Sequence, residues 1–167
     1  MIIGRGDIAK AIKDKDKFLF YANGFSNRIP FNTKQVEKEW TELLKWIYEC
    51  ENNMFVYIST LSIYYSNSEY TKWKLRMEDC IKRNFNNYCI LRIGNITWGD
   101  NPNTLLNHLR KDTSRIDDTF RYLIDQDELN HWIDLIPRSG KHDMNITGKR
   151  MKVSEIVEQL QKECGNL

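Results

Sequence analysis

Tyr70 and Lys74 stand four positions apart in the run Tyr70-Thr71-Lys72-Trp73-Lys74. On a helix that spacing puts both side chains on one face. An ammonium beside a phenol lowers the phenol's pKa, so such a tyrosine can trade a proton with a hydroxyl or carbonyl near neutral pH. Ser59 and Thr60 close an apolar run a few residues earlier, where a hydroxyl could hold a substrate oxygen beside the phenol. A third group opens the chain. Gly4-Arg5-Gly6-Asp7-Ile8-Ala9 places glycines where a backbone must approach a pyrophosphate, and a small residue where helix and strand must pack closely. Taken singly these signals are ordinary: a solvated helix face, a strand-end turn, a glycine turn. Their order along one chain is what joins them.

The elements that must position these groups follow from periodicity. Met1-Ile2-Ile3 reads as a very short strand before the glycine turn, and Ile8 and Ile12 share one face of a helix after it. Phe18-Leu19-Phe20-Tyr21 is an apolar strand ending in Ala22-Asn23-Gly24, and Ser26 to Pro30 is loop. A long helix follows, capped by Asn32 or Thr33, with Val36, Trp40, Leu43, Leu44, Ile47 and Tyr48 at three- and four-residue steps, and it runs out at Glu51-Asn52-Asn53. Met54 to Ile58 is a second apolar strand, with Ser59 and Thr60 at its carboxyl end. A second long helix spans about Glu69 to Asn84, and Tyr88 to Ile93 is a third apolar strand, followed by Gly94 and Asn95. Beyond Gly99 the pattern loosens into a helix over Thr104–Lys111, a strand over Phe120–Ile124, a helix over Asp127–Ile136, a strand over His142–Ile146 and a helix over Val153–Glu163. Strands apolar along their whole length, alternating with helices, predict a doubly wound α/β fold: a parallel sheet with helices on both faces. The polar strand ends then share one edge, where ligands bind in open sheets.

Composition narrows the class. A chain of 167 residues suits one domain, and 41% hydrophobic content is that of a globular protein. A net charge of +2 does not supply the clustered basic face that a nucleic-acid binder needs, and the interleaved Trp40, Trp46, Trp73, Lys72 and Lys82 fit core or interface better than a nucleic-acid surface. The apolar runs are too short to cross a membrane. Cys50, Cys80, Cys89 and Cys164 form no C-x-x-C pair, and His108, His131 and His142 are scattered, so no metal site is expected. The opening Met1-Ile2-Ile3-Gly4 has no room for a signal peptide. The expectation is a soluble, cytoplasmic protein with free thiols.

The order of glycine turn, Ser-Thr strand end, Y-x-x-x-K helix and following strand resembles the extended short-chain dehydrogenase/reductases, the NAD-dependent epimerase/dehydratase family. Phe55-Val56-Tyr57-Ile58-Ser59-Thr60-Leu61-Ser62-Ile63-Tyr64 is similar to that family's strand ending in Ser-Ser-x-x-x-Tyr. Leu91-Arg92-Ile93-Gly94-Asn95-Ile96-Thr97-Trp98-Gly99 resembles its L-R-x-x-N-x-x-G run, and Asn145-Ile146-Thr147-Gly148 its N-h-x-G strand end. The resemblance implies a Thr60, Tyr70 and Lys74 catalytic group, with Thr60 and Asn95 also touching substrate. It implies a nicotinamide dinucleotide held by Gly4, Arg5, Gly6, Asp7 and Ile8 at the phosphates, by Ala22, Asn23, Gly24 and Ser59 along the cofactor, and by Tyr70, Lys74, Ile93 and Asn95 at its nicotinamide end. Arg5, inside the phosphate turn, tilts the expectation slightly from NAD towards NADP.

The chain departs from that family in one large respect. Phe18 to Gly24 is similar to the family's fourth strand, so the second and third strands of the Rossmann-like sheet are missing, and with them the residue that holds the adenosine ribose. The expected organisation is one truncated domain, with residues 1–99 as cofactor-binding and catalytic core and 100–167 as a shortened substrate side. The implied activity is hydride transfer on a sugar-nucleotide or a related hydroxyl or carbonyl compound. The alternative is a non-catalytic nucleotide-binding or scaffold protein that keeps the fold. The family's pairing of the two long helices across a twofold axis further implies a homodimer through residues 34–50 and 69–84, with Trp40, Leu44 and Trp73 as contacts.

Overall fold

The computed structural model describes residues 1–24, 32–50, 53–113 and 119–165. Its first half runs β1 (Ile2–Ile3), α1 (Asp7–Ala11), β2 (Phe18–Tyr21), α2 (Thr33–Glu49), β3 (Met54–Thr60), a 3₁₀ turn (Leu61–Tyr64), α3 (Glu69–Asn84) and β4 (Tyr88–Ile93). The second half runs β5 (Asn95–Ile96), α4 (Leu105–Lys111), β6 (Phe120–Ile124), α5 (Gln126–Asp134), β7 (Lys141–Ile146), β8 (Lys149–Lys152) and α6 (Val153–Gly165). The loop expected at Ser26–Pro30, the helix end at Glu51 and Asn52, and the side chain of Cys164 lie outside the described residues. Cys50, Cys80 and Cys89 are free thiols. Among the described residues no helix is long and apolar enough to cross a membrane.

β1, β2, β3, β4 and β7 form one sheet in that order, every pair parallel. Thr60, Ile93 and Ile146 are in register, so the carboxyl ends of β3, β4 and β7 meet at one edge. Alternation along each strand splits the core in two. Phe18, Phe20, Val56, Ile58 and Leu91 face α1 and α5, where they meet Ile12, Leu129 and Ile133. Leu19, Tyr21, Phe55, Tyr57 and Ile90 face α2 and α3, where they meet Leu43, Trp73, Met77 and Ile81. This is the expected doubly wound arrangement, and β1 ends the sheet among the described residues, where the two missing strands would otherwise continue it.

Each step from β1 to β7 moves the same way across the sheet, yet α1 and α5 lie on one face and α2 and α3 on the other. The two pairs of connections therefore have opposite hands, and the right-handed rule cannot hold for all four. That rule arises from a helix packed directly back onto twisted strands. It suits the long α2 and α3; α1 has only five residues, and the chain between β4 and α5 first builds a second sheet.

The second sheet has the order β5-β6-β8, with β5 and β6 parallel and β6 and β8 antiparallel. It packs with α4 and α6 around Leu105, Leu109, Leu123, Met151, Ile156 and Leu160. Helix α5 and strand β7 come after residue 99 but belong to the larger sheet, so the two sheets interleave along the chain. β8 went unread in the sequence because three of its four residues are charged. Only Met151 turns inward, and Arg150 stacks over Phe120 at 3.6 Å. Trp73, expected between two copies of the chain, is buried in the interior of its own, whereas Leu44 is exposed.

Two features lock the site's frame. Gly148 joins β7 to β8 at φ +61°, and a Cβ there would strike the backbone oxygen of Leu123 on β6. Beneath the other face, the buried Glu78 of α3 accepts from Ser59 Oγ at 2.6 Å and from both Nε and Nη2 of Arg92. Arg92 Nη2 also donates to Asp143 on β7 at 2.9 Å, so one charged network spans α3, β3, β4 and β7.

Gly148→Ala should lower the urea-unfolding free energy by at least about 2 kcal/mol, since it adds left-handed strain to a backbone clash. Glu78→Ala, which removes the buried partner of Arg92 and leaves it only the half-exposed Asp143, should cost about 3 kcal/mol in the same measurement.

Candidate active site

A cleft of about 650 Å³ opens at the carboxyl edge of the larger sheet, within the range of small-molecule sites. Of the residues expected to act together, all but Gly4 and Arg5 line it. Gly6, Asp7 and Ile8 come from the opening turn, Ala22, Asn23 and Gly24 from the end of β2, and Ser59 and Thr60 from the end of β3. Ile93 and Asn95 come from the end of β4 and the start of β5, and Tyr70 and Lys74 from α3. The far wall carries Asn101, Asn103, Thr104, Phe120 and Arg121 from the smaller sheet and its loops.

The opening turn is built for close approach. Gly4 has φ +133°, and a Cβ on it would lie 2.5 Å from the carbonyl oxygen of Ala22, so β1 and β2 can meet only around a glycine there. Gly6 is the N-cap of α1 with no side-chain cap, and a Cβ on it would meet nothing within 4 Å. Open space and uncapped backbone at Gly6 fit a phosphate group. Asp7 does something not foreseen: its Oδ2 accepts from the backbone N–H of Asn101 at 3.0 Å, and its carbonyl accepts from Trp98 Nε1 at 3.2 Å. It pins the far wall to the glycine turn. Arg5 is exposed and outside the cleft, so the phosphate pairing expected of it is not formed by this arrangement.

The hydroxyl groups are partly committed. Thr60 caps the 3₁₀ turn, accepting from Ser62 N–H at 3.1 Å and donating to Ser62 Oγ at 3.1 Å. Ser62 Oγ is 3.3 Å from Tyr65 Oη, which makes a short chain of hydroxyls along the cleft. Ser59 directs its hydroxyl away from the cleft to Glu78, because strand alternation turns it to the α3 face. The Asn95 amide donates to the carbonyl of Tyr122 at 3.2 Å, tying β5 to β6.

Lys74 is buried, and the reason is Glu39 on α2. Lys74 Nζ donates to Glu39 Oε1 at 3.2 Å and to Tyr57 Oη at 2.9 Å. Glu39 Oε2 accepts from Trp73 Nε1 at 2.8 Å, and the Glu39 carbonyl accepts from Tyr21 Oη at 3.0 Å. Burial alone pulls the ammonium's pKa down, but Glu39, with Tyr57 and Tyr70, outweighs it and holds Lys74 well above its ordinary range. Lys74 Nζ lies 5.9 Å from the centre of the Tyr70 ring. Burial pushes the Tyr70 phenol above its ordinary value; Lys74 opposes the rise, and Glu39 and Tyr65 add to it. The lysine acts on the phenol in the expected direction but does not prevail. Glu39 and Tyr57 are the residues the sequence reading missed. The available signal was an acid inside the apolar stripe of α2, three residues after Val36 and four before Leu43.

No protein-family model and no curated protein matches the chain. Solved structures do. The Bordetella bronchiseptica enzyme WbmG in complex with NAD and UDP superposes with a TM-score of 0.70 at 12% identity, covering 89% of this chain and 56% of that one. Thermus thermophilus UDP-glucose 4-epimerase in complex with NAD gives 0.66 at 13% identity, covering 89% and 62%. Bacillus cereus UDP-N-acetylglucosamine 4-epimerase gives 0.62 at 14%, covering 88% and 63%. This chain thus spans little more than half the length of the first of these, and the likeness is one of fold: the Rossmann-like fold of the NAD-dependent epimerase/dehydratase structures, in shortened form.

Proposed function

We propose that the chain is a nicotinamide-dependent oxidoreductase of the epimerase/dehydratase kind, acting on a hydroxyl or carbonyl of a sugar-nucleotide or a related small molecule. The observation that carries this reading is the convergence, in one cleft, of the uncapped turn at Gly6 with Thr60, Tyr70 and Lys74. The similar structures that hold NAD, and in one case UDP as well, support the choice of ligand class.

The residues present fit part of a dinucleotide. Gly6, Asp7 and Ile8 would meet its phosphates, Ala22 to Gly24 would run along it, and Tyr70 and Lys74 would meet the ribose and nicotinamide. Nothing in the described residues replaces the strand end that would hold the adenosine ribose, so the adenosine side rests on the edge at β1. When bound, the nicotinamide supplies or accepts hydride. The chain's own work is orientation and proton transfer. Thr60 keeps one lone pair with which to accept from a substrate hydroxyl, and by giving up its bond to Ser62 Oγ it can donate to a substrate carbonyl oxygen. Tyr70 exchanges the proton of that oxygen, and the Asp7 tether holds the two walls of the cleft at a fixed separation. Arg5 is exposed beside the phosphate turn, and the proposal is made for either dinucleotide.

One observation favours a second reading, a scaffold that keeps the fold without catalysis: β1, only two residues long, is the outer strand where a dinucleotide's adenosine would need support. Fluorescence or thermal-shift titration with NADH and NADPH separates the two. Binding of either is expected, and binding of neither at millimolar concentration selects the scaffold. With a working substrate, Tyr70→Phe should lower kcat by at least about 100-fold while leaving the unfolding midpoint close to wild type; an unchanged kcat removes Tyr70 from the mechanism.

A further inference from the structure

We infer that Glu39 is a positioning residue that neutralises Lys74 and anchors it beneath Gly24, which leaves Tyr70 a proton donor. The inference rests on the reading of Tyr70 as the acid–base group and deepens it by naming its resting protonation state: a neutral phenol able to donate to a carbonyl oxygen.

The geometry is that of a closed pair. Lys74 has three N–H donors; one is directed to Glu39 and another to Tyr57, both buried. Glu39 cannot swing away to free the ammonium, because Trp73 Nε1 holds its second oxygen and α2 is tied to β2 through Tyr21. The pair sits directly under the cleft floor. A Cβ on Gly24 would lie 3.0 Å from Lys74 Nζ and 3.1 Å from Glu39 Oε1, at a φ of +150°. The segment after β2 therefore crosses close over the pair, in a backbone conformation that side chains rarely adopt.

The electrostatic consequence follows from the distances. Lys74 Nζ lies 5.9 Å from the centre of the Tyr70 ring, and an unpaired ammonium beside a phenol in a poorly solvated site favours the phenolate. A bonded carboxylate and ammonium present that phenol with a dipole instead of a charge, and the benefit largely cancels. The groups facing Lys74 are Glu39 from α2, Tyr57 from β3, Tyr21 from β2 and Tyr70 from its own helix, and Tyr65 faces Tyr70 from the turn after β3. None of these is a second cation. Burial is the first cause of the raised Tyr70 phenol; Lys74 opposes it, and Glu39 takes back part of what Lys74 lowers. In a reduction Tyr70 Oη would give its proton to the carbonyl oxygen; a bound reduced nicotinamide would supply the hydride, leaving an alcohol and the oxidised dinucleotide, and a proton from solvent would restore the phenol.

The test needs no dinucleotide or substrate. Protein labelled with ¹³C at the tyrosine ζ carbon is titrated by NMR, with the Tyr70 signal identified by its loss in Tyr70→Phe. In the wild type the Tyr70 midpoint should lie above about 10. In Glu39→Gln, which leaves the ammonium unpaired, it should fall enough to give about tenfold more phenolate at a given pH. In Lys74→Gln, which leaves the carboxylate unpaired, it should rise. A purely structural pair would not move the phenol in opposite directions. A wild-type midpoint below about 10, no shift in either variant, or shifts of the same sign overturns the inference. Should Glu39→Gln not fold, Glu39→Asp, whose shorter side chain draws the carboxylate away from Lys74, should also lower the midpoint, and no fall in it overturns the inference. A chain that binds neither dinucleotide but shows the opposed shifts loses the oxidoreductase reading and retains the Glu39 assignment.

Discussion

An ammonium taken out of water needs a counter-charge and hydrogen bonds for the protons it keeps. Lys74 meets that requirement with Glu39 and Tyr57, and the demand propagates outward. Glu39 must come from α2, which fixes how α2 lies against α3. Its second oxygen must be satisfied, which turns Trp73 inward. Tyr21 and Tyr57, neighbours in register on β2 and β3, must offer their hydroxyls to the same face of the sheet. Gly24, at φ +150°, brings the chain after β2 close over the pair. The layer between sheet and helices, expected to be wholly apolar, thus has a polar centre where the candidate chemistry needs one.

A second buried charge pair, Glu78 with Arg92, performs the corresponding task one strand further along. It lies on the same face of the sheet, and through Asp143 it reaches β7. Both pairs draw their α3 member from the surface that also carries Met77 and Ile81, four and eight residues on from Trp73. Helix α3 is therefore at once a core helix and the carrier of Tyr70, so the phenol's position is set by core packing and not by a free loop.

Much of this was legible from one dimension. The span of α3, the strands at Phe18–Tyr21 and Tyr88–Ile93, and the gathering of polar strand ends at one edge all follow from periodicity, because each element buries a continuous apolar run. Glu39 and Glu78 were not read, since each is one acid among apolar neighbours, and the partner that makes its burial affordable lies on another element. Ser59 was assigned to the cleft from its position at a strand end, but the two-residue alternation of β3 turns its hydroxyl to Glu78. β8 was missed because Lys149, Arg150 and Lys152 contribute no apolar signal, and the short excursion of β5 is set by contact with β6 and not by its own residues. The absence of the second and third strands was legible only through family resemblance, and the fold likeness, which spans 56–63% of the similar chains' lengths in the structures named above, agrees with it.

The account's central claim is that a nicotinamide dinucleotide lies across the carboxyl edge of the larger sheet, over Gly6, Gly24 and Lys74. Backbone amide NMR during titration with NADH tests it most directly. The account predicts saturable shifts confined to Gly6, Asp7, Asn23, Gly24, Thr60 and Asn95, with the amides of α6 unmoved. Saturable shifts centred elsewhere on the molecule, with those six amides unmoved, would contradict it.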